Sequence, residues 1–289
     1  MKILVTGVNG QLGYDVCREL DTRNMAYLGS SRNEFDLSHS QETYDFIIRH
    51  APDAVIHCAA WTAVDKAEDE LAGATAVNVD GTRAIAQACK DLGAKMLYIS
   101  TDYVFPGDGD HFYEPGDPTG PLGAYGRTKL GGEEAVQELL DDYFIVRTSW
   151  VFGIHGNNFV KTMLRLADTR NELNVVCDQI GSPTYTADLA PLLCDMITSE
   201  KYGIYHATNE GICSWAEFAE EIFRVAGKQV TVHHIPTSEY PTRAVRPLNS
   251  RMSKDKLEKA GFYRLPSWQN AVKRYIYALN DMSNDRREG

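Results

Sequence analysis

The sequence predicts an α/β fold built on a doubly wound parallel sheet, followed by a smaller C-terminal α/β domain. Short apolar segments alternate with amphipathic segments through the first 150 residues, which is typical of strands joined by crossover helices. A glycine-rich turn and a helix follow the first strand at once. After residue 150 the alternation becomes irregular, so we expect domains over residues 1–150 and 151–289, with some later segments returning to the first.

Composition and charge restrict the class of protein. The 289 residues are 43% hydrophobic and 24% charged, as in an ordinary globular protein. The formal net charge of −11 argues against nucleic acid as a partner, because phosphate backbones bind basic surfaces. We find no apolar run that could span a membrane and expect no signal peptide. Six dispersed cysteines without a C-x-x-C pair suit a reducing compartment, so we expect a cytoplasmic protein.

The glycine-rich turn indicates dinucleotide binding. Residues 2–6 form a short apolar strand, and Gly7, Gly10 and Gly13 separate it from the next helix. Glycines in this context let the backbone approach a pyrophosphate at a helix N-terminus. The spacing is G-x-x-G-x-x-G rather than G-x-G-x-x-G, and a plain tight turn is the alternative. The position directly after the first strand favours a cofactor site, and hence a Rossmann-type domain.

The end of the second strand bears on the choice of cofactor. Residues 25–29 read as that strand, and Ser30, Ser31 and Arg32 follow it. An acid here binds the ribose 2′-hydroxyl of NAD, whereas an arginine accommodates the 2′-phosphate of NADP. Arg32 therefore favours NADPH, with NADH as the alternative. Glu34 could serve as the acid if the loop is shifted, and Arg32 could be a solvated loop residue.

The polar end of the strand at residues 95–99 carries the strongest chemical signal. Ser100 and Thr101 follow this apolar segment, and a helix begins near Tyr125. Residues i and i+4 share a helix face, so Tyr125 and Lys129 can point into one pocket near Thr101. A hydroxyl, a phenol and a lysine suit carbonyl reduction, in which the oxygen becomes negative and takes up a proton.

Tyr125 and Lys129 could also be an ordinary pair on a helix surface, because Tyr-x-x-x-Lys alone is a weak motif. Their place after a dinucleotide fingerprint and a Ser-Thr strand end favours a catalytic role for both, together with Thr101. The ordinary pKa of tyrosine is about 10, and we expect the Lys129 cation to lower the pKa of Tyr125.

Three further features have weaker signals. The loop at residues 106–124 is rich in glycine and proline, and its position favours a lid or substrate wall. Trp150 at a strand end could stack on a sugar or a base, or belong to the core. Arg243, Arg246 and Arg251 form a basic cluster in an acidic chain, suited to a diphosphate because arginine pairs bidentately with phosphate. Exposed loop arginines are the alternative.

Several segments together resemble the extended short-chain dehydrogenase/reductase superfamily and, within it, the dTDP-4-dehydrorhamnose reductase family. They span most of the chain, and the Gly-Gln-Leu-Gly and Ser-Thr-Asp-Tyr-Val-Phe blocks are fairly specific to the family. The matching segments are residues 6–13, 58–65, 100–105, 125–129, 147–150 and 178–184.

The resemblance implies reduction of the C4 ketone of dTDP-4-dehydro-L-rhamnose to dTDP-L-rhamnose with NADPH or NADH. It makes Tyr125 the proton donor, Lys129 the residue that holds the nicotinamide ribose, and Thr101 a hydrogen-bond partner of the reacting oxygen. Asp102 and Trp150 would contact the sugar. The cofactor would be lined by Gly10, Gln11, Leu12, Asp36, Leu37, Ala60, Trp61 and Thr62.

The resemblance also leaves alternatives. Reductases or epimerases of related nucleotide sugars, of the dihydrostreptose or spore-coat type, share this fingerprint, because loops bind the sugar. The regulatory subunit of methionine adenosyltransferase resembles the same family without acting as a reductase. Some family members dimerise through a magnesium site built from glutamates, and no motif in this sequence identifies those glutamates. The resemblance therefore leaves both a monomer and a homodimer open, and it adds Mg²⁺ as a further ligand.

Overall fold

The structure, a computed structural model, describes the backbone of residues 1–288 and the side chains of residues 1–281. Within these residues the strands are β1 (Ile3–Thr6), β2 (Tyr27–Ser30), β3 (Ala54–His57), β4 (Lys95–Thr101), β5 (Tyr143–Thr148), β6 (Val151–Phe152), β7 (Glu172–Val176), β8 (Ile180–Gly181), β9 (Thr184–Tyr185), β10 (Gly203–His206), β11 (Asn209–Glu210), β12 (Cys213–Ser214), β13 (Thr231–Ile235) and β14 (Leu265–Ser267). The helices are α1 (Gln11–Thr22), α2 (Ser40–His50), α3 (Val64–Asp69), α4 (Leu71–Thr75), α5 (Thr82–Leu92), α6 (Ala124–Leu139), α7 (Phe159–Ala167), α8 (Thr186–Ile197), α9 (Trp215–Ala226), α10 (Asp255–Lys259) and α11 (Trp268–Glu288). A π-helical turn covers Ala76–Gly81, and 3₁₀ turns cover Asp102–Val104 and Thr237–Glu239.

The main sheet confirms the predicted fold class. In the described part of the chain its strand order is β2-β1-β3-β4-β5-β10, and every neighbouring pair is parallel. The strands are added on one side of β1 up to β2 and on the other side from β3 onward, so the order of addition reverses between β1 and β3. In doubly wound sheets the ligand crevice lies at such a reversal, outside the carboxyl ends of the strands.

Helices cover both faces of this sheet, because successive strand residues point to opposite sides. Ile3 and Val5 are buried in the same cluster as Val16 of α1 and Leu193 of α8. Leu4, between them, is buried in a second cluster on the other face, which includes side chains of α5 and α6. Strands that are buried on both faces must be apolar throughout, which explains the short uninterrupted apolar segments of the sequence.

The C-terminal part builds a second core and also returns to the first sheet. Phe152, Phe218 and Tyr275 belong to a buried cluster formed by segments after residue 150. However, β10 pairs with β5, and α8 is buried against the main sheet. The segment from α8 to β10 therefore packs with the main sheet, and Leu257 and Phe262 also lie in that first cluster. Among the helices of residues 1–288, none is both long and apolar enough to cross a bilayer.

Candidate active site

A cleft of about 830 Å³ lies at the carboxyl ends of the parallel strands. Its wall includes the glycine turn after β1, the segment after β2, the end of β4, the start of α6, and tryptophans from the C-terminal part. Most of the predicted site residues line it: Gly7, Gly10, Gln11, Leu12, Gly13, Arg32, Asp36, Leu37, Ala60, Thr62, Thr101, Asp102, Tyr125, Lys129 and Trp150.

The glycine turn forms a cradle that larger residues could not build. Gly7 has φ +74°, and a Cβ there would lie 2.8 Å from the backbone nitrogen of Ala59. A Cβ on Gly13 would overlap the carbonyl oxygen of Gly7. No side chain in the described part of the protein caps the N-terminus of α1 at Gly10. The first N–H groups of this helix therefore remain for an anion in the cleft, which is the arrangement that binds a pyrophosphate.

The loop after β2 has its own hydrogen bonds. Glu34 accepts from the backbone nitrogen of Ser31 at 2.6 Å and from its hydroxyl at 2.8 Å. Asp36 likewise accepts from Ser38, which lowers the pKa of Asp36, with a smaller contribution from Arg32. Glu34 is thus engaged within its own loop, whereas Arg32 lines the cleft.

The structure brings the three predicted catalytic residues together. Thr101 ends β4, and Tyr125 and Lys129 lie one turn apart at the start of α6. The Lys129 ammonium donates to the carbonyl oxygen of Ile99 at 2.7 Å and lies 4.0 Å from the ring centroid of Tyr98. The lysine is therefore held under the end of β4.

Burial controls the protonation of this group. It raises the pKa of Tyr125 above the ordinary value, while a hydrogen bond with Thr101 lowers it. Burial lowers the pKa of Lys129 to about 7, against the opposing charges of Glu133 and Cys58. The prediction that Lys129 lowers the pKa of Tyr125 is wrong for this structure. Thr101 opposes the rise in the pKa of Tyr125 instead.

Asp102 lies beside Thr101 and is held by two hydroxyls. Thr101 Oγ1 donates to its Oδ1 at 2.9 Å, and Ser250 Oγ donates to its Oδ2 at 2.5 Å. Burial raises the pKa of Asp102 to about 6, although both hydrogen bonds oppose the rise. Sequence reasoning missed Ser250, because no local pattern signals a contact across 148 positions.

Trp61 does not line the cleft, although Ala60 and Thr62 on either side of it do. Its indole donates to the carbonyl oxygen of Ala63 at 3.3 Å and packs over Gly73. Its backbone is held by Asn78, whose Oδ1 accepts from Trp61 N at 2.8 Å.

Asn78 is a second residue that sequence reasoning missed. It is buried in the π-helical turn, and its Nδ2 also donates to Thr128 Oγ1 of α6 at 3.0 Å. It therefore ties the turn after β3 to the catalytic helix. An asparagine among the small and apolar residues 72–79 was the only signal in the sequence, since buried polar side chains require partners.

Trp150 lines the cleft, and a second tryptophan accompanies it. The indoles of Trp150 and Trp215 are stacked with centroids 3.8 Å apart and an interplanar angle of 14°. Trp215 also lines the cleft. Sequence reasoning did not assign Trp215 to the site; it begins α9, directly after Ser214 and its capping box.

The predicted basic cluster is largely ion-paired. Arg246 donates to Asp65 Oδ2 at 2.7 Å, and Arg243 pairs with Asp69, both acids belonging to α3. Arg246 is not part of the described cleft wall. Its Nη1 is buried and has no hydrogen-bond partner among the described residues. The role of Arg246 in binding a diphosphate stays a prediction.

The loop at residues 106–124 is docked on the C-terminal part. Asn249 N donates to the carbonyl oxygen of Gly107 at 2.9 Å, and Tyr113 N donates to that of Arg251 at 2.9 Å. No residue of this loop lines the described cleft, so its predicted role as a lid or substrate wall stays a prediction. In the described residues, no three His, Cys, Asp or Glu side chains lie close enough together to hold a metal ion.

Comparisons with known proteins agree with this geometry. A family model described as the RmlD substrate binding domain matches residues 1–280. The dTDP-4-dehydrorhamnose reductase of Sinorhizobium fredii is 43% identical over 290 residues, covering 96% of this chain and 98% of that protein. The chain belongs to the dTDP-4-dehydrorhamnose reductase (RmlD) family.

Two other similar proteins extend the picture of this RmlD family member. The crystal structure of dTDP-4-dehydrorhamnose reductase from Bacillus anthracis in complex with NADP has a TM-score of 0.93 and 42% identity, covering 96% of this chain and 99% of that one. The spore coat polysaccharide biosynthesis protein SpsK of Bacillus subtilis is 41% identical, covering 95% of this chain and 96% of that protein. The first carries the cofactor that the glycine turn predicts.

Proposed function

We propose that this protein reduces the C4 ketone of dTDP-4-dehydro-L-rhamnose to dTDP-L-rhamnose with NADPH. The observation that carries the proposal is the convergence of Thr101, Tyr125 and Lys129 in the same cleft as the glycine turn. The Sinorhizobium relative, matched along almost its whole length, bears the name of this activity.

The cleft residues fit a nicotinamide dinucleotide. Gly7 and Gly13 permit close backbone approach, and the uncapped N-terminus of α1 suits the pyrophosphate. Asp36, Ala60 and Thr62 would flank the rest of the cofactor. When bound, the cofactor supplies the hydride that turns the C4 ketone into an alkoxide.

Tyr125 donates the proton that the alkoxide takes up. Its raised pKa keeps the phenol protonated at neutral pH, so that it can act as an acid. The Thr101 hydroxyl can turn from Asp102 to Tyr125, and it then donates to the phenolate that proton transfer leaves behind. Lys129 would hold the nicotinamide ribose, and in its protonated form it would add positive charge beneath the site.

Two features of the β2 loop support NADPH over NADH. Arg32 lines the cleft and can pair with a 2′-phosphate. Glu34, the rival group, is occupied by two hydrogen bonds from Ser31 and is less available to a ribose 2′-hydroxyl. NADH remains the alternative cofactor.

On the substrate side we assign Asp102 and Trp150 to the sugar and Arg246 to the diphosphate. The similarity to SpsK favours a second candidate, a reductase of a related nucleotide sugar in spore-coat polysaccharide synthesis. A regulatory subunit without catalytic activity would not need Thr101, Tyr125 and Lys129 assembled in one cleft, so the structure favours an enzyme.

Cytoplasmic location and the choice between monomer and homodimer stay predictions. The six cysteines form no disulfide, which suits a reducing compartment. A magnesium requirement rests on the resemblance alone. Size-exclusion chromatography before and after dialysis against a chelator would test the oligomeric state and the metal together.

The deciding experiment measures the oxidation of NADPH, and separately of NADH, with dTDP-4-dehydro-L-rhamnose generated in situ. Formation of dTDP-L-rhamnose would establish reaction and substrate together. Cofactor binding without oxidation would refute the assigned substrate, and the same assay with other 4-keto nucleotide sugars would then test the second candidate.

A further inference from the structure

Trp150 has a backbone conformation that is unusual for a bulky side chain. Its φ of 50° lies in the left-handed region, which residues other than glycine seldom enter. Such strain persists only where surrounding contacts enforce it, and it is concentrated at binding and catalytic sites. Trp150 lines the cleft, so the contacts that enforce its conformation bear on the bound ligand.

The indole of Trp150 stacks on the indole of Trp215. The two rings lie almost face to face, with centroids 3.8 Å apart and planes inclined by 14°. Phe159 and Phe218 pack against Trp215, with ring centroids 4.7 and 6.1 Å from it. The plane of Trp150 is therefore set by a ring that is itself supported by other aromatic rings.

Two sets of hydrogen bonds fix the position of Trp215. It is the first residue of α9, directly after Ser214, whose side chain forms a capping box with Glu217. Its indole Nε1 donates to Gln179 Oε1 at 3.1 Å, and Gln179 Nε2 donates in turn to Thr237 Oγ1 at 3.0 Å. The hydrogen bond satisfies the indole N–H and fixes the orientation of the ring beside Trp150.

We propose that Trp215 is a positioning and specificity-determining residue, which holds Trp150 so that the two indoles form a stacking wall for a flat face of the nucleotide sugar. The inference rests on the proposed function and deepens it. The ligand class is a ring with an apolar face, either the pyranose or the pyrimidine of the substrate. Aromatic rings favour such faces, and neither hydrogen bonds nor charge are required.

The test uses three variants in the full-length protein. In Trp215→Leu, the KM for dTDP-4-dehydro-L-rhamnose should rise about two- to tenfold, the range expected for one aromatic pair, with the KM for NADPH unchanged. Trp215→Phe keeps an aromatic face and should stay near the native KM. Gln179→Leu keeps both indoles but removes the anchor, and should raise the same KM.

A spectroscopic measurement distinguishes positioning from general stability. Two stacked indoles couple and produce a pair of circular dichroism bands of opposite sign. This pair should be lost in Trp215→Leu and weakened in Gln179→Leu. Trp268→Phe is the matched control, because Trp268 is buried in the same hydrophobic cluster and meets Phe218 edge-on. It should lower the melting temperature without changing the KM or the band pair.

Titration of the native protein and of Trp215→Leu with dTDP separates this inference from the proposed function. Weaker dTDP binding by the variant would support the wall even if the native protein failed to reduce the assigned substrate. An unchanged substrate KM and unchanged dTDP affinity in Trp215→Leu would overturn the proposal. Equal rises in the KM values of substrate and NADPH would also overturn it, because they would indicate general disruption of the cleft.

Discussion

Glu133→Gln removes the charge from a carboxylate that is completely buried behind the active site. Glu133 is 0% exposed, and its carboxylate accepts from Arg147 Nε at 2.9 Å, from Arg147 Nη2 at 2.7 Å and from Ser100 Oγ at 2.5 Å. It lies one turn after Lys129 on the same helix. The substitution preserves shape and most hydrogen-bonding capacity while leaving the buried Arg147 without its counter-charge.

The expected cost follows from the burial of the pair. Removing one partner of a buried ion pair destabilises a protein by about 3–5 kcal/mol, because the other charge remains uncompensated. Glutamine retains part of the hydrogen bonding, and Arg147 keeps its hydrogen bond to the carbonyl oxygen of Pro115. We therefore expect the substitution to lower the free energy of unfolding by about 3 kcal/mol. A chain of this size loses about 2–4 °C in melting temperature per kcal/mol, which gives a fall of about 6–12 °C.

Thermal and urea unfolding of the native protein and the variant would measure this cost. Glu138→Gln is the matched control, because Glu138 lies on the same helix and pairs with Arg83 at 2.8 Å, with both side chains well exposed. This control should unfold like the native protein, since exposed ion pairs contribute little. A loss below about 1 kcal/mol in Glu133→Gln, or an equal loss in both variants, would refute the reasoning.

Three further variants test the cleft. Tyr125→Phe should lower kcat about 10²- to 10⁴-fold while NADPH still binds in a fluorescence titration, since only the proton donor is lost; near-native turnover would contradict the assignment. Arg32→Ala should raise the KM for NADPH about tenfold and leave that for NADH unchanged in steady-state assays, and equal effects on both would contradict phosphate binding. Burial raises the pKa of Asp102 to about 6, so below about pH 6 this carboxylate takes up a proton and loses one of its two hydroxyl donors, and kcat/KM for the substrate should fall. Asp102→Asn should remove this fall from the pH–rate profile. A fall that persists in the variant would exclude Asp102 as the source of the pH dependence.

The cofactor side of the cleft could be predicted from the sequence because its signals are local. The glycine turn follows β1 directly, and the spacing of Tyr125 and Lys129 is fixed by one turn of α6. Each of these relations depends on a few neighbouring residues, and the parallel sheet then brings the strand ends together at one edge. The fold class and the convergence of Thr101 with the helix pair follow from the same logic.

The sequence predictions fail, or miss residues, where the position of a site residue depends on the direction of its side chain or on a contact with a distant part of the chain. Trp61 is adjacent to cleft residues, yet its indole turns away over Gly73, and its neighbours in sequence give no sign of that rotamer. Lys129 shares a helix face with Tyr125, but its ammonium reaches the carbonyl oxygen of Ile99. Periodicity determines which residues share a face and does not determine where a long side chain ends.

The division between local and distant contacts has a functional consequence. The proposed reacting groups come from one strand and one helix, whereas the proposed stacking wall and its anchor come from distant segments that supply Trp150, Gln179 and Trp215. Substitutions in those segments can change the shape offered to the sugar without disturbing the site of hydride and proton transfer. Specificity among nucleotide sugars should therefore depend on the paired indoles and their anchor, and the chemistry of carbonyl reduction should persist when the substrate changes.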